Sequence, residues 1–242
     1  MKPSLGRCLL RLFTVQGSWN YERMLGIGFG VAEEPLLRGL SPEAYRAAMA
    51  RGAHFFNAHP YLCGMAVGAA ARAEHDGVPA DQVERLRTAL CGPLGSVGDR
   101  LVWAGWLPLN SGLALAGIAL GMGWWAVVGF VALYNVGHVG LRWWALQAGW
   151  THGLRVVDAL RHPFLRRAGA FLAPAMALAT GAALPLTVGY LSGPFPGWAR
   201  VLLAGAVGTG VLLLQWRRLG LTGIRLGLGF AAIGLIVGLV WR

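Results

Sequence analysis

Charge is what this sequence has least of. Only 13% of its 242 residues are Asp, Glu, Lys or Arg, about half the share of roughly 25% found in an ordinary soluble domain. The shortage is also uneven. No charged side chain occurs between Arg100 and Arg142 or between Arg167 and Arg200, and the windows 201–216 and 226–241 are uncharged as well. A helix needs about 20 mostly apolar residues, ~17 at the lower end, to cross the hydrocarbon of a bilayer. The first gap therefore has room for two crossings or a re-entrant hairpin, and each of the others for one. With 56% hydrophobic residues and 37 glycines, the chain reads as an all-α polytopic membrane protein.

Acidic residues are scarcest towards the C-terminus. Residues 101–242 carry ten arginines against the single Asp158, whereas residues 1–100 carry 11 basic and 9 acidic groups. The net charge of +11 thus sits in short loops between apolar runs. That is the positive-inside pattern, and it leaves no basic stripe of the kind a nucleic-acid partner needs. Arg155, Arg161, Arg166 and Arg167 place residues 149–167 in the cytoplasm. A span over about 168–190 then leads out, SGPFPG turns outside, and a span over about 201–216 returns to Arg217, Arg218 and Arg225. The last span leaves the C-terminus outside and the N-terminus cytoplasmic.

Other absences exclude other classes. Three cysteines, an odd number with no metal spacing, argue against a disulfide framework or a zinc centre. GSVGD and the run Gly26-Ile27-Gly28-Phe29-Gly30 lack the lysine or the third glycine that phosphate-binding loops require, so no nucleotide cofactor is implied. The N-terminal apolar stretch is interrupted by Arg11 and no cleavage site follows. It reads as an amphipathic helix on the membrane surface rather than a signal peptide.

Ser41-Pro42-Glu43 is a helix start, with Ser41 as N-cap and Pro42 in the first turn. The helix is expected to run towards Phe55, with Pro60 breaking the chain beyond it. Residues 61–73 are too few to span and read as a buried or re-entrant helix. Residues 78–90, with Asp81, Glu84, Arg85 and Arg87, read as an amphipathic helix with a solvated charged face. In CGPLGSVGDRLVW, residues 91–103, glycine and proline are expected to break the helix. Irregular backbone at a membrane boundary must be buried in protein or line a cavity, which makes this stretch a candidate site wall.

The stretch HFFNAHPYLCG, residues 54–64, sets two histidines and an asparagine among aromatics. His54 and His59 lie five apart beside a proline, not four apart on one helical face, so they do not form a metal pair and read as structural. Polar groups near apolar spans are costly and face a cavity or a partner. Asn57, Glu74, Asp99, Asn110, Asn135 and His138 form that set, and Asn57 and Asp99 lead it because each falls at an expected break.

LFTVQGSWNYERMLGIGF, HFFNAHPYLCG, GPLGSVGDRLVW and YNVGHVGLRWWALQAGWTHG, in this order and spacing, resemble the IID membrane component of the mannose/fructose/sorbose family of the phosphoenolpyruvate-dependent sugar phosphotransferase system (PTS). The resemblance implies one IID domain over residues 1–242. Its regions are an N-terminal arm (1–53), a hairpin-containing core (54–141), a cytoplasmic basic segment (142–167) and C-terminal transmembrane helices (168–242).

It also implies re-entrant hairpins, here residues 55–74 and 91–107, and inverted-topology pairing with a IIC subunit in a hetero-oligomer of the bacterial inner membrane. The two subunits form the path for a hexose, and a IIB protein, supplied by IIA, phosphorylates it. The IID chain is then not an enzyme and needs no cofactor. Asn57, Glu74 and Asp99 supply the carboxylates and carboxamide a sugar ring calls for, with Phe55, Phe56 and Trp103 for its C–H faces. Where the family has a small residue or proline after the Gly-Asp pair, this chain has Arg100. That difference keeps open a non-transporting relative that binds IIC or IIB in regulation or assembly.

Overall fold

The computed structural model describes residues 2–191. Within them the secondary structure is helical apart from isolated bridges. In chain order the helices are α1 (Leu5–Leu12), α2 (Gly26–Leu37), α3 (Pro42–Gly52), α4 (Cys63–His75), α5 (Ala80–Gly98), α6 (Leu107–Ala119), α7 (Trp124–His152), α8 (Val157–Leu160) and α9 (Pro163–Leu191). A π-helical segment, Asp99–Trp106, joins α5 to α6, and a 3-10 turn, Gly153–Arg155, follows α7. Among the described residues, three stretches are long and apolar enough to cross a membrane: Ala80–Ala119, Trp124–Arg155 and Val157–Tyr190. The expected spans at 201–216 and 226–241 and the SGPFPG turn lie outside the described residues.

The local signals for α1 and α3 operate as expected. Ser4 Oγ accepts from Arg7 N–H at 3.4 Å, and Ser41 Oγ accepts from Ala44 N–H at 3.3 Å with Pro42 in the first turn. The uncharged stretch after Arg100 resolves into two helical limbs. Gly121 and Gly123 turn the chain between them at φ of 89° and 55°, a region that only glycine enters at no cost.

The described residues divide into two compact units, residues 2–108 with 131–173, and residues 109–130 with 174–191. In the first, α4 is the centre of the core. Every residue from Cys63 to Ala71 is buried, as is Ala73, which agrees with the reading of this run as a buried helix. Its glycines let α7 come to backbone contact. A Cβ on Gly68 would lie 2.6 Å from Leu146 O, and one on Gly149 only 2.0 Å from Met65 O. Two small residues four apart on one helix are a recurring means of close helix approach. In the second unit the glycine contact recurs: a Cβ on Gly112 would lie 2.8 Å from the Ala179 carbonyl carbon.

Two expectations are corrected. Residues 91–103 do not break the helix: α5 continues through Pro93 and widens into the π segment, whose ladder ends with Leu107 N–H on Val102 O. Proline removes one N–H and crowds the preceding turn, but the helix survives because that flank is exposed. Nor is the charged face of residues 78–90 wholly solvated. Arg87 is 3% exposed and stands with Val83, Leu86 and Leu90 on the buried face.

Arg142 lies inside α7, buried, with its guanidinium donating to Leu12 O, to Pro60 O at 3.1 Å and to His138 Nε2 at 2.7 Å.

Candidate functional site

Phe56 organises the stretch between α3 and α4. It is fully buried, with its ring 4.8 Å from that of Phe29, a burial contributing ~2 kcal/mol. Its backbone is tied to the turn before α2: Leu25 N–H donates to Phe56 O at 2.8 Å and Phe56 N–H to Arg23 O at 3.2 Å. With Phe56 turned inward on this bridged, extended backbone, its neighbours Phe55 and Asn57 are left exposed.

A second anchor comes from α5. The Arg87 guanidinium donates to the carbonyls of Arg51, Gly52 (3.0 Å) and His54 (3.3 Å), and lies 4.4 Å over the Phe29 ring. One buried cation thus caps the C-terminal end of α3 and fixes the start of the HFFN stretch to α5.

These ties frame a pocket of about 650 Å³ within the first unit, inside the usual range of roughly 300–1,000 Å³ for ligand sites. It is lined by Phe55, Asn57, Ala58 and His59, by Cys91, Gly95, Ser96, Asp99 and Trp103 from α5 and the π segment, and by Gln16, Trp19 and Leu25. π segments inserted in helices are frequent at functional sites. This one begins at Asp99, so the carboxylate stands at the widened turn.

Of the residues singled out in the sequence, Asn57 and Asp99 line this pocket together. Glu74 does not. It lies near the end of α4, held by Arg51 through three hydrogen bonds of 2.6, 2.8 and 3.0 Å. Trp103 and Phe55 are in the lining, whereas Phe56 belongs to the core. Asn110 is buried and Asn135 donates to Val131 O at 2.8 Å in its own helix. The ring of His138 stacks on Tyr61 at 4.2 Å.

Gln16 and Ser96 are pocket residues that sequence reasoning does not single out, and His59, which it reads as structural, also lines the pocket. Gln16 and Ser96 carry no periodic signal. His59 is 2% exposed, and burial, reinforced by the nearby Arg142 charge, lowers its pKa to about 4. Elsewhere in the unit Glu33 is buried beside Arg87 and Gly52, and burial raises its carboxyl to about 8 despite the Arg87 charge. Among the described residues no three His, Cys, Asp or Glu side chains converge as a metal ion would require.

The fold and the pocket together define a helical membrane protein with a polar cleft walled by aromatic rings. The model of the PTS mannose/fructose/sorbose family IID component matches residues 2–179, and the chain belongs to that family.

Among its relatives, the mannose-specific EIID component of Escherichia coli K12 is 31% identical over 170 residues, 65% of this chain and 58% of that protein. The sorbose-specific EIID component of Klebsiella pneumoniae is 33% identical over 169 residues, 65% and 60% respectively. The fructose permease IID component of Bacillus subtilis is 28% identical over 166 residues, 66% and 60%. The chain thus spans about three fifths of the length of these relatives. A solved structure described as a membrane protein superposes with a TM-score of 0.67 at 25% identity, covering 96% of this chain and 94% of the other. A complex of the mannose transporter ManYZ with microcin E492 gives 0.58 at 24%, with the same coverage, and shares the fold.

Proposed function

We propose that the chain is the IID membrane subunit of a phosphoenolpyruvate-dependent sugar permease. With a IIC partner it forms the path for a mannose-class hexose, which a IIB protein phosphorylates on the cytoplasmic side; the phosphoryl group never resides on this chain. Family membership and relatives described as mannose, sorbose and fructose components support this reading. The observation that carries it is the pocket, whose lining includes Asn57, Asp99, Phe55 and Trp103.

A carboxylate accepts from two sugar hydroxyls, a carboxamide both donates and accepts, and aromatic faces cover the ring's C–H surface. Asn57 and Asp99 are the proposed ligand residues. Glu74, occupied by Arg51, supports the scaffold beneath them. In the same reading α4, at 13 residues too short to span, enters the membrane as a limb of a re-entrant hairpin. The IIC partner is inserted with inverted topology in an assembly of several IIC–IID copies in the inner membrane, with the arginines around 155–167 on the cytoplasmic side.

The test is hexose binding to the protein purified with its IIC partner. Asn57→Ala and Asp99→Ala are each expected to weaken binding about tenfold or more, the scale of a lost charged or bidentate hydrogen bond, while the complex stays assembled. Normal binding in both variants would place the site in IIC.

A further inference from the structure

We infer that the junction between α7 and α9 binds the headgroup of an anionic phospholipid, with Arg161, Arg166 and Arg167 taking its phosphate and Trp144 and Phe164 standing beside its acyl chains. The site is separate from the pocket and does not depend on the sugar the chain carries.

The arginines of this junction differ from those before them. Every ion pair among the described residues lies within positions 11–85, and the buried Arg87 and Arg142 donate to backbone carbonyls. Arg155, Arg161, Arg166 and Arg167 are all exposed, and no carboxylate among the described residues pairs with them. The junction thus presents four unshared guanidinium groups within 13 residues, against the single Asp158. A guanidinium fork matches the oxygens of a phosphate two at a time.

The level of the junction says where that phosphate comes from. Along α7 the tryptophan pairs 124–125 and 143–144 are 19 residues apart, a rise of about 28 Å in an α-helix. That is close to the roughly 30 Å of bilayer hydrocarbon, at whose two edges tryptophan collects. Trp144 therefore marks one edge. Its ring lies 5.8 Å from that of Phe164 and 6.2 Å from that of His162, which brings the first turn of α9 to the level of the headgroups. Arg166 and Arg167 follow directly.

The backbone there is held from within. Val156, Ala159 and Leu165 are buried, Gly153 turns the chain beside Arg72 of α4 at φ of 53°, and Phe164 N–H donates to His162 Nδ1 at 3.2 Å. Leu154, Val157 and Phe164 are left about half exposed among the arginines. Apolar side chains interleaved with arginine suit the boundary where acyl chains meet phosphate. A soluble acidic partner offers the arginines the same charge but nothing to these apolar side chains.

The experiment titrates the full chain, purified in detergent, with phosphatidylglycerol, with phosphatidylcholine of the same acyl chains and with inorganic phosphate, and follows bound lipid by native mass spectrometry. One phosphatidylglycerol is expected to bind on the order of a hundredfold more tightly than phosphatidylcholine, about fivefold for each of three arginines. Arg161→Gln, Arg166→Gln and Arg167→Gln together should abolish that preference. Arg7→Gln, Arg46→Gln and Arg85→Gln together remove the same charge from exposed positions on α1, α3 and α5 and should leave it intact.

The inference is overturned if the junction variant keeps the preference, if the control variant loses it equally, or if inorganic phosphate binds as tightly as the lipid. A junction variant that keeps its lipid but no longer binds the IIB protein would make the arginines a protein-docking surface instead. None of these outcomes touches hexose binding, so the permease reading stands or falls by its own test.

Discussion

Arg51 holds Glu74 through its Nε and Nη2, the shortest contact being 2.6 Å, and joins the end of α3 to the end of α4 where both side chains are largely buried. The pair ties the end of α3, where the loop that carries Asn57 and His59 begins, to the far end of α4. It also occupies a carboxylate that the sequence offers as a ligand.

Breaking such a pair leaves a buried charge alone, at a cost of about 3–5 kcal/mol. Arg51→Ala is expected to lower the thermal midpoint of the detergent-solubilised protein sharply. Glu74→Gln, which keeps one acceptor, should cost roughly half as much. A Glu74→Gln variant of wild-type stability with lost hexose affinity would show that Glu74 contacts the sugar.

Glu33 predicts a pH dependence. Its folded-state pKa, about 8, lies above the ordinary value of 4.5 because the carboxyl is buried, so the native state holds a proton that the unfolded chain releases. The stabilisation is complete below about pH 4.5 and is lost as pH rises to about 8, at up to about 1.4 kcal/mol per pH unit. Glu33→Gln mimics the protonated form. Its stability should match the wild type near pH 5 and exceed it near pH 8 in chemical denaturation, whereas parallel profiles at the two pH values would contradict the assignment.

The contact between α4 and α7 depends on hydrogen in place of a methyl. Gly149→Ala would put a Cβ 2.0 Å from Met65 O, backbone that cannot yield locally, while Gly140 on the same helix has nothing within 4 Å. Gly149→Ala should cost about 3 kcal/mol, the upper end for overpacking, and Gly140→Ala should be neutral in the same unfolding assay. Equal stability of the two would mean that the helices do not meet there.

The parts of the fold that were readable in advance rest on local or one-dimensional signals. Ser41-Pro42 announces α3, the charge gaps announce the long apolar helices, and the Gly/Ala run announces a buried α4. Asp99 stands out in the sequence for a break that the structure does not contain; it nonetheless lines the pocket, at the start of the π segment.

What was missed depends on pairs distant in sequence. Glu74 needs Arg51, 23 residues away, to be understood. His59 shows its close packing against Gly98, 39 residues away, only in the folded chain. Arg87 was readable: its place among Val83, Leu86 and Leu90 follows helical spacing, which outweighs the presence of other charges in the same helix.

The central claim is that this chain supplies half of a sugar path. It is tested most directly by phosphoenolpyruvate-dependent hexose uptake in cells that contain the IIA, IIB and IIC partners, with this chain present, absent, or carrying Asp99→Ala. The account predicts uptake only with the intact chain, no uptake without it, and strongly reduced uptake with Asp99→Ala. Uptake at the full rate in its absence would contradict it.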